Sequence, residues 1–516
     1  MLPISTGGSS FTAVLSSEQA LRRVVIDVAA ALDPDDLVTL SGDLGAGKTT
    51  FARALIRFLA DNSDIAVPSP TFTLMQTYEL PRFPLVHADL YRLEGPGELA
   101  ELGFDDLPNG AVVLLEWPDR AAGFLPPDRL DLTFTLAPDL GPEHRNVRIT
   151  GYGAFGPRVE RMAAIRRFLE ATGYAAAERR RVQGDASTRI YERLRLGDQR
   201  AILMNAPRRP DGPPIRDGKP YSAIVHLAED IQPFVAMANG LRQVGLSAPQ
   251  IYEAELTDGL LIIEDLGSEP VVTGDPPAPM EDRYRAAVDV LLALHGARLR
   301  DTLPIAPHVS HHLPHYDLDA YLTEAELLLE WYLPRLGITV TDSTRAAYRA
   351  VWRTALAVAL ETDATWVLRD FHSPNLIWLP ERKEIARVGI LDFQDAVIGP
   401  AAYDVASLLQ DARVDVPETM EVALLGHYVD RRAALDPDFD PVAFLQIYAT
   451  LAAQRASKIL GIFSRLDRRD GKPQYLRHIP RVWGYLQRSL AHPALGALHD
   501  WYSTNLPPLT QRVGGG

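Results

Sequence analysis

Eight consecutive residues near the N-terminus could bind the phosphates of a nucleotide. The segment Gly42–Thr49 fits the pattern of a Gly-rich turn that ends in Gly-Lys-Thr. The apolar strand 37–40 precedes it, and apolar residues at helical spacing follow from Phe51 onward. Backbone N–H groups at the start of that helix would point at phosphate, Lys48 would neutralise the outer phosphates, and Thr49 would join a Mg²⁺ shell. The predicted ATP-binding residues here are Gly42, Asp43, Gly45, Ala46, Gly47, Lys48, Thr49 and Thr50.

Two apolar segments downstream each end in an acid. The first is 85–89, ending at Asp89, and the second is 112–116, ending at Glu116. In open α/β sheets the ligand lies beyond the carboxyl ends of the strands. Both acids are therefore predicted to be catalytic, and Glu116 is also a predicted metal ligand beside Thr49.

A second set of reactive residues lies in the C-terminal half. Asp370 and Asn375 have the D-x-x-x-x-N spacing of a kinase catalytic loop, and an apolar strand, 388–391, then leads into Asp392. Asp370 is predicted to accept the proton of a substrate hydroxyl. Asn375 and Asp392 are predicted to hold Mg²⁺ against the phosphates of ATP.

The N-terminal motifs resemble those of the TsaE family. The resemblance covers about residues 10–152 and rests on Gly42–Thr50, 67–74, 87–92 and 115–118, which occur in the same order and spacing. It implies an ATPase that serves the complex adding threonylcarbamoyl to tRNA adenosine. It also implies a switch-like loop at Thr71, Trp117 beside the nucleotide, and TsaB-like and TsaD-like partner proteins, with tRNA contacted only indirectly.

The C-terminal motifs resemble the aminoglycoside-phosphotransferase and choline-kinase superfamily. In that comparison residues 183–191 look like the phosphate-covering hairpin, and 262–267, with Glu264 and Leu266, looks like the adenine-contacting segment between two lobes. Asp404 would anchor the start of a helix against the catalytic loop. Within the superfamily, the likeness is greatest to cell-wall sugar kinases over roughly residues 157–510. That implies phosphorylation of the anomeric hydroxyl of N-acetylmuramate and N-acetylglucosamine in peptidoglycan recycling.

One departure from the general kinase pattern leaves alternatives open. The strand 200–204 has no lysine where kinases place their phosphate-binding lysine, so Arg189 or Arg193 is a candidate for that contact. The acceptor could instead be an aminoglycoside, choline or another small alcohol, or this half could be an inactive binding module. The N-terminal half could likewise be an assembly factor that only remodels partners.

The elements that must position these residues fit a chain of two domains. With 516 residues the chain is too long for one ordinary core, and a Pro- and Gly-rich stretch precedes a new helical pattern near residue 158. We predict an α/β P-loop NTPase domain at 1–153, followed at 154–516 by an α+β bilobal protein-kinase-like domain of the aminoglycoside-phosphotransferase type. We also expect a polar loop at 307–314 and an amphipathic helix with solvated acids at 324–332.

Composition limits the environment and the partners. The chain has no cysteine and no apolar run near the roughly 20 residues that a membrane helix needs, so it is predicted to be cytoplasmic, without a membrane contact. The formal net charge of −15 disfavours a broad nucleic-acid-binding surface.

Overall fold

The computed structural model describes residues 8–93, 98, 107–121, 123–141, 143–182 and 189–506. The contacts divide the chain into two compact units, unit 1 at 1–185 and 191–200, and unit 2 at 186–190 and 201–516. Within the described ranges, no helix has the length and apolar character that a membrane span requires.

Unit 1 is built on a seven-stranded sheet with a parallel centre. The seven strands of this sheet are β1 (Ser9–Leu15), β2 (Leu37–Ser41), β3 (Met75–Glu79), β4 (Pro84–Asp89), β5 (Val112–Glu116), β6 (Arg129–Leu136) and β7 (Arg145–Tyr152). Two further strands, β8 (Glu178–Val182) and β9 (Ile190–Leu196), pair with each other outside it. The helices are α1 (Glu18–Ala31), α2 (Lys48–Leu59) and α3 (Phe155–Ala171). The sheet order is β1-β7-β6-β2-β5-β4-β3, and β6, β2, β5 and β4 are parallel.

The core of unit 1 explains why the P-loop helix forms where it does. Phe51, Leu55 and Ile56 on α2 are fully buried in one apolar cluster with Val38 and Leu40 of β2. Packing of this helical face against the sheet fixes the turn between β2 and α2. The carboxyl ends of β2, β4 and β5 therefore lie side by side, which brings the P-loop next to the ends of two acid-bearing strands.

Helix α3 and the β8–β9 hairpin belong to unit 1 by their contacts. Arg158 donates to Asp36 at 2.6 Å, and Arg166 donates to Asp27 at 2.6 Å. Arg179 of β8 donates to Asp27 as well, at 2.5 Å. By their contacts, residues 154–182 therefore belong to unit 1. The domain boundary between residues 153 and 154 stays a prediction.

Unit 2 combines small antiparallel sheets with a helical body. Its strands are β10 (Gln199–Asn205), β11 (Pro214–Arg216), β12 (Lys219–Pro220), β13 (Ile251–Glu255), β14 (Leu260–Glu264), β15 (Val272–Thr273), β16 (Ala278–Pro279), β17 (Thr302–Ala306), β18 (Val309–His312), β19 (Ala364–Val367), β20 (Leu376–Trp378), β21 (Val388–Ile390) and β22 (Val397–Pro400). Its helices are α4 (Tyr221–Ile224), α5 (Gln232–Gln243), α6 (Glu281–Gly296), α7 (Leu318–Ala325), α8 (Leu333–Arg335), α9 (Asp342–Leu360), α10 (Ala402–Leu409), α11 (Glu418–Leu435), α12 (Pro441–Arg468), α13 (Ile479–Leu490) and α14 (Gly496–Asn505).

Two short sheets and one long helix hold the predicted catalytic segment. Strand β19 pairs with β22 and β20 pairs with β21, so the segments 368–375 and 391–396 each connect one of these two sheets to the other. Residues 373–375 form a single 3-10 turn. Helix α12 is buried along most of its length. Its Gly461 lies so close to Leu327 that a Cβ there would come within 2.4 Å of the Leu327 carbonyl carbon.

Two local predictions for unit 2 were wrong. Residues 307–314 are not simply a loop, because 309–312 form β18 and pair with β17. Of the three acids predicted to be solvated, Glu324 and Glu326 are buried, at 0% and 1% exposure, whereas the Glu330 side chain is 44% exposed. The spacing of apolar residues identified a helical segment there, but it could not reveal that distant arginines and a lysine neutralise these acids.

Candidate active sites

The P-loop has the backbone shape that close approach to phosphate requires. Gly42, Gly45 and Gly47 have φ values of 132°, 78° and 108°, which disfavour any residue with a Cβ. At Gly42 a Cβ would also lie 2.3 Å from the carbonyl oxygen of Phe134. The Ala46 N–H donates to the Asp43 carbonyl at 3.1 Å and closes the turn, while Thr50 is exposed on α2. The predicted loop residues therefore lie together.

Lys48 lies buried within this loop. Its Nζ donates to the carbonyl oxygens of Gly42 and Asp43 at 2.6 and 2.9 Å, and it lies 3.8 Å from the centre of the Trp117 ring. Burial lowers the pKa of Lys48, and the charge of Glu116 opposes this shift. A buried ammonium among carbonyl oxygens and a π face is suited to exchange these neutral partners for phosphate oxygens.

Glu116 joins the P-loop helix to a histidine that the sequence analysis missed. Its Oε2 accepts from Thr49 Oγ1 at 2.9 Å, and its Oε1 lies 3.0 Å from Nε2 of His87. Glu116 and His87 are 1% and 0% exposed, so the imidazole fixes the carboxylate inside the protein. His87 could have been found from its place two residues before Asp89 on a strand next to β5.

Asp89 lies directly beside Glu116 in the parallel register of β4 and β5. Its Oδ2 accepts from Thr71 Oγ1 at 2.8 Å and from Ser69 Oγ at 3.2 Å. The predicted switch-like loop is thus tied to an acid at the edge of the nucleotide site. Trp117 follows Glu116 and is partly buried against Tyr91, with ring centres 5.1 Å apart.

The second site brings together Asp370, Asn375 and Asp392. Asn375 Nδ2 donates to the main-chain oxygen of Asp370 at 2.9 Å, and the Leu391 N–H donates to the Asn375 carbonyl at 2.9 Å. These bonds hold the two predicted metal-binding residues on adjacent loops. Burial raises the pKa of Asp370, but nearby cations, Lys458 foremost, hold it below its usual value. Burial and the charge of Asp370 raise the pKa of Asp392.

Asp404 anchors the predicted catalytic loop, which agrees with the structural role predicted for it. It lies in the first turn of α10 and accepts from the backbone N–H groups of Leu368 and Arg369 at 2.6 and 2.9 Å. Ser407, one turn later, donates to the Arg369 carbonyl at 3.0 Å. Burial raises the pKa of Asp404 to about 7. The start of α10 therefore fixes the backbone immediately before Asp370.

A buried ion cluster supports the same loop and was not anticipated. Glu324 accepts from Arg369 and lies 2.8 Å from Lys458 Nζ. Burial raises the pKa of Glu324, but the charges of Lys458 and Arg369 outweigh it, so the net shift is downward. This cluster links α7, the catalytic loop and α12.

Of the two predicted phosphate-binding cations, Arg189 contacts the predicted metal site. Its Nη1 lies 3.3 Å from Asp392 Oδ1. Arg193 lies on β9 in unit 1. Most of the predicted phosphate-covering hairpin, residues 183–188, falls outside the part of the chain that the structure describes.

The predicted adenine-contacting segment combines a fixed carboxylate with an apolar side chain. Glu264 accepts from Arg382 and lies 3.5 Å from Nη1 of Arg242, so its carboxylate is already ion-paired. Leu266 is 8% exposed and packs in a small apolar cluster with Ile377 and Leu379. In this segment, main-chain groups that could contact adenine therefore lie next to the apolar surface formed by Leu266, Ile377 and Leu379.

A cavity opens beside Asp370 and is lined largely by one face of α12. The α12 residues are Arg455, Lys458, Ile459, Ile462 and Phe463, whose spacing places them on one side of a helix. His372, Asp411 and Arg413 line it from the loops. Burial lowers the pKa of His372 to about 4. The cavity offers both polar and apolar groups next to the predicted base, and we call it the acceptor pocket.

Comparison with known proteins assigns each half to a family. Residues 15–145 match the TsaE family, described as threonylcarbamoyl adenosine biosynthesis protein, and residues 178–445 match the phosphotransferase enzyme family. Over 367 residues the chain is 41% identical to an N-acetylmuramate/N-acetylglucosamine kinase of Caulobacter vibrioides, covering 68% of this chain and 99% of that relative.

Two further relatives agree with this division. An N-acetylmuramate/N-acetylglucosamine kinase of Pseudomonas aeruginosa is 33% identical over 322 residues, which cover 61% of this chain and 85% of the relative. A tRNA threonylcarbamoyladenosine biosynthesis protein TsaE of Rickettsia felis is 42% identical over 124 residues, which cover 24% of this chain and 71% of the relative. The predicted fold classes and family resemblances are confirmed. The chain is a fusion that belongs to the TsaE family of ATPases through its N-terminal part and to the phosphotransferase enzyme family through its C-terminal part.

Proposed function

We propose that unit 2 transfers the γ-phosphate of ATP to the anomeric hydroxyl of N-acetylmuramate and N-acetylglucosamine. One observation carries this choice of acceptor: the 41% identity to a kinase of these sugars extends over 99% of that relative. The loop residues of the acceptor pocket, from Asp370 to Arg413, also lie within the 178–445 match to the phosphotransferase family. The product is a sugar 1-phosphate that can be returned to peptidoglycan synthesis.

The residues around Asp370 have the chemistry that this transfer needs. The anomeric oxygen attacks the γ-phosphorus, the bond from phosphorus to the oxygen of ADP breaks, and Asp370 accepts the hydroxyl proton. Nearby cations, Lys458 foremost, hold the pKa of Asp370 below its usual value, so the carboxylate form that accepts the proton is the one present at neutral pH. Asn375 and Asp392 offer an amide and a carboxylate, the oxygen ligands that suit Mg²⁺. Arg189, beside Asp392, is the cation that takes the place of the missing lysine.

Adenine binding is assigned to the segment after β14. Because the Glu264 carboxylate is ion-paired with Arg382, the main chain of Glu264 and Leu266 would contact the base. The apolar cluster of Leu266, Ile377 and Leu379 would lie against the adenine ring.

Unit 1 is proposed to hydrolyse ATP in support of threonylcarbamoyladenosine formation on tRNA. The loop amides from Gly42 to Thr49 and the Lys48 ammonium would bind the phosphates, and Trp117 would lie beside the nucleotide. Thr49 and Glu116, already 2.9 Å apart, would hold Mg²⁺, and Asp89 would orient the attacking water. The positive φ values of Gly42, Gly45 and Gly47 and the burial of Lys48 suit the binding of a nucleoside triphosphate.

TsaB-like and TsaD-like proteins are the proposed partners of unit 1. The formal net charge of −15 supports a tRNA that is held by those partners rather than by this chain. Since both proposed reactions consume ATP, we place the protein in the cytoplasm.

The kinase proposal is tested with the full chain and a panel of acceptors. N-acetylmuramate, N-acetylglucosamine, an aminoglycoside and choline are each incubated with ATP and Mg²⁺, and the products are examined by phosphorus NMR. A phosphate at the anomeric oxygen of the two amino sugars supports the proposal. Transfer to the aminoglycoside or choline alone, or to none of the four, contradicts it.

A further inference from the structure

The acceptor pocket contains a buried positive charge that phosphoryl transfer by Asp370 does not account for. Arg455 on α12 is only 6% exposed, and among the described residues no acid lies within salt-bridge distance of its guanidinium, although it interacts electrostatically with Asp370 and Asp404. Lys458, one turn later on the same helix, is neutralised by Glu324 at 2.8 Å. A buried guanidinium that is not directly bonded to an acid is stabilised by an anion that can reach it.

The groups that line the pocket around Arg455 include two acids, Asp370 and Asp411, and a second arginine, Arg413. Asp370 is within electrostatic reach of Arg455, and Arg413 lies on the loop wall of the same pocket, half-buried. Asp411, the other acid of the lining, accepts from the N–H and Oγ of Ser373 at 2.9 and 2.5 Å and from the backbone N–H of Arg413 at 2.8 Å. Two guanidinium groups in one pocket are suited to a carboxylate, which they can bind in a bidentate manner.

The two proposed sugars differ in the group that such a pocket would recognise. N-acetylmuramate is N-acetylglucosamine with a lactyl ether on O3, so it carries a carboxylate that N-acetylglucosamine lacks. The apolar part of the lining, Ile459, Ile462 and Phe463, suits the acetyl methyl group and the sugar face that both have in common.

We propose that Arg455 and Arg413 bind the lactyl carboxylate of N-acetylmuramate while its anomeric hydroxyl faces Asp370, so that these two arginines set the preference between the two sugars. This inference rests on the proposed function of unit 2. It deepens that function because it names the residues that distinguish an anionic from a neutral amino sugar.

The test compares both sugars with three single variants of the full chain. Arg455→Gln and Arg413→Gln each remove one guanidinium, and Arg477→Gln removes an exposed arginine outside the pocket as a matched control. Steady-state kinetics give kcat/KM for each sugar. In either pocket variant the ratio of N-acetylmuramate to N-acetylglucosamine should fall by about 10- to 100-fold, mainly through KM. Arg455→Lys should recover part of the ratio because it keeps the charge.

The other outcomes overturn the inference in different ways. If kcat falls equally for both sugars, the arginines bind the transferred phosphoryl group instead of the lactyl carboxylate. If both pocket variants and Arg477→Gln all keep the kcat/KM ratio of the unmodified chain, neither Arg455 nor Arg413 selects between the sugars. If the unmodified chain phosphorylates neither sugar, the proposed function itself fails, and this inference fails with it. Should Arg455→Gln not fold, as judged by circular dichroism, the half-buried Arg413→Gln variant decides the result.

Discussion

Thr49 Oγ1 donates a hydrogen bond to Glu116 Oε2 at 2.9 Å, so the first turn of α2 is joined to the end of β5. This bond lies where Mg²⁺ would be held, and His87 fixes the other carboxylate oxygen at 3.0 Å. Glu116→Gln keeps the shape of the side chain but removes its charge. We expect ATP turnover by unit 1 to fall by about 100-fold and the Mg²⁺ concentration for half-maximal rate to rise.

This is measured as phosphate release without any sugar, in the presence of TsaB-like and TsaD-like partners, over a range of Mg²⁺ concentrations. Glu79→Gln, at the exposed end of β3, is the matched control. If the rate of Glu116→Gln depended on Mg²⁺ as that of the unmodified chain does, Glu116 would not be a metal ligand.

Lys48→Ala should separate the two activities of the chain. Lys48 belongs to the P-loop of unit 1, whereas Asp370 belongs to unit 2. The variant is expected to lose partner-dependent tRNA modification and to keep sugar phosphorylation. Asp370→Asn is the reciprocal control and should show the opposite pattern. Loss of both activities in Lys48→Ala, in a protein that remains folded, would show that the units do not act independently.

Asp370→Asn is expected to lower kcat for sugar phosphorylation by about a hundred- to ten-thousand-fold, the usual contribution of a general base. The amide keeps the size of the side chain but cannot accept the hydroxyl proton. Asp363→Asn changes an exposed aspartate seven residues earlier and serves as the control. A nearly normal kcat in Asp370→Asn, measured with saturating sugar and ATP, would exclude Asp370 as the base.

Glu324→Gln should destabilise unit 2, because it leaves Arg369 and Lys458 buried without their counter-charge. Breaking a buried ion pair on one side costs about 3 to 5 kcal/mol. Glu330→Gln is the control on the following turn, where the side chain is 44% exposed and 3.7 Å from Arg345, and a change below about 1 kcal/mol is expected there. Denaturant unfolding followed by tryptophan fluorescence measures the free energy of unfolding of both variants. Equal losses of stability in the two variants would contradict the structural role of the cluster.

Asp404→Asn should cost more stability at pH 6 than at pH 8.5. The pKa of Asp404 is raised to about 7 by burial, from 3.8 in an unperturbed side chain. Because the pKa is higher in the folded state, the contribution of Asp404 to the free energy of unfolding is fully present below the unfolded-state pKa. It is lost as pH rises through about 7. Asparagine cannot titrate, so the gap between the two proteins narrows at alkaline pH. Urea unfolding midpoints of both proteins at the two pH values test this. A stability difference that grows from pH 6 to pH 8.5 would contradict the prediction.

The sequence alone determined the two families, and it predicted both candidate catalytic segments and the candidate nucleotide-binding residues. It could do so because Gly42–Thr49 is one turn between a strand and a helix, and Asp370 and Asn375 lie within one loop. In such segments, local backbone geometry dictates which residue types fit. The order of the strands also implied that Asp89 and Glu116 meet at one edge, and the register of β4 and β5 places them side by side.

Only the tertiary structure decided which distant charges are neighbours. The pairing of Glu324 with Arg369 and Lys458 joins residues up to 134 positions apart, and sequence spacing carries no information about such contacts. The same holds for Arg413 and Arg455, which enter one pocket from a loop and a helix. Burial strengthens electrostatic interactions and makes an unpaired charge unfavourable, so the roles of these residues depend on packing that forms only when the whole chain has folded.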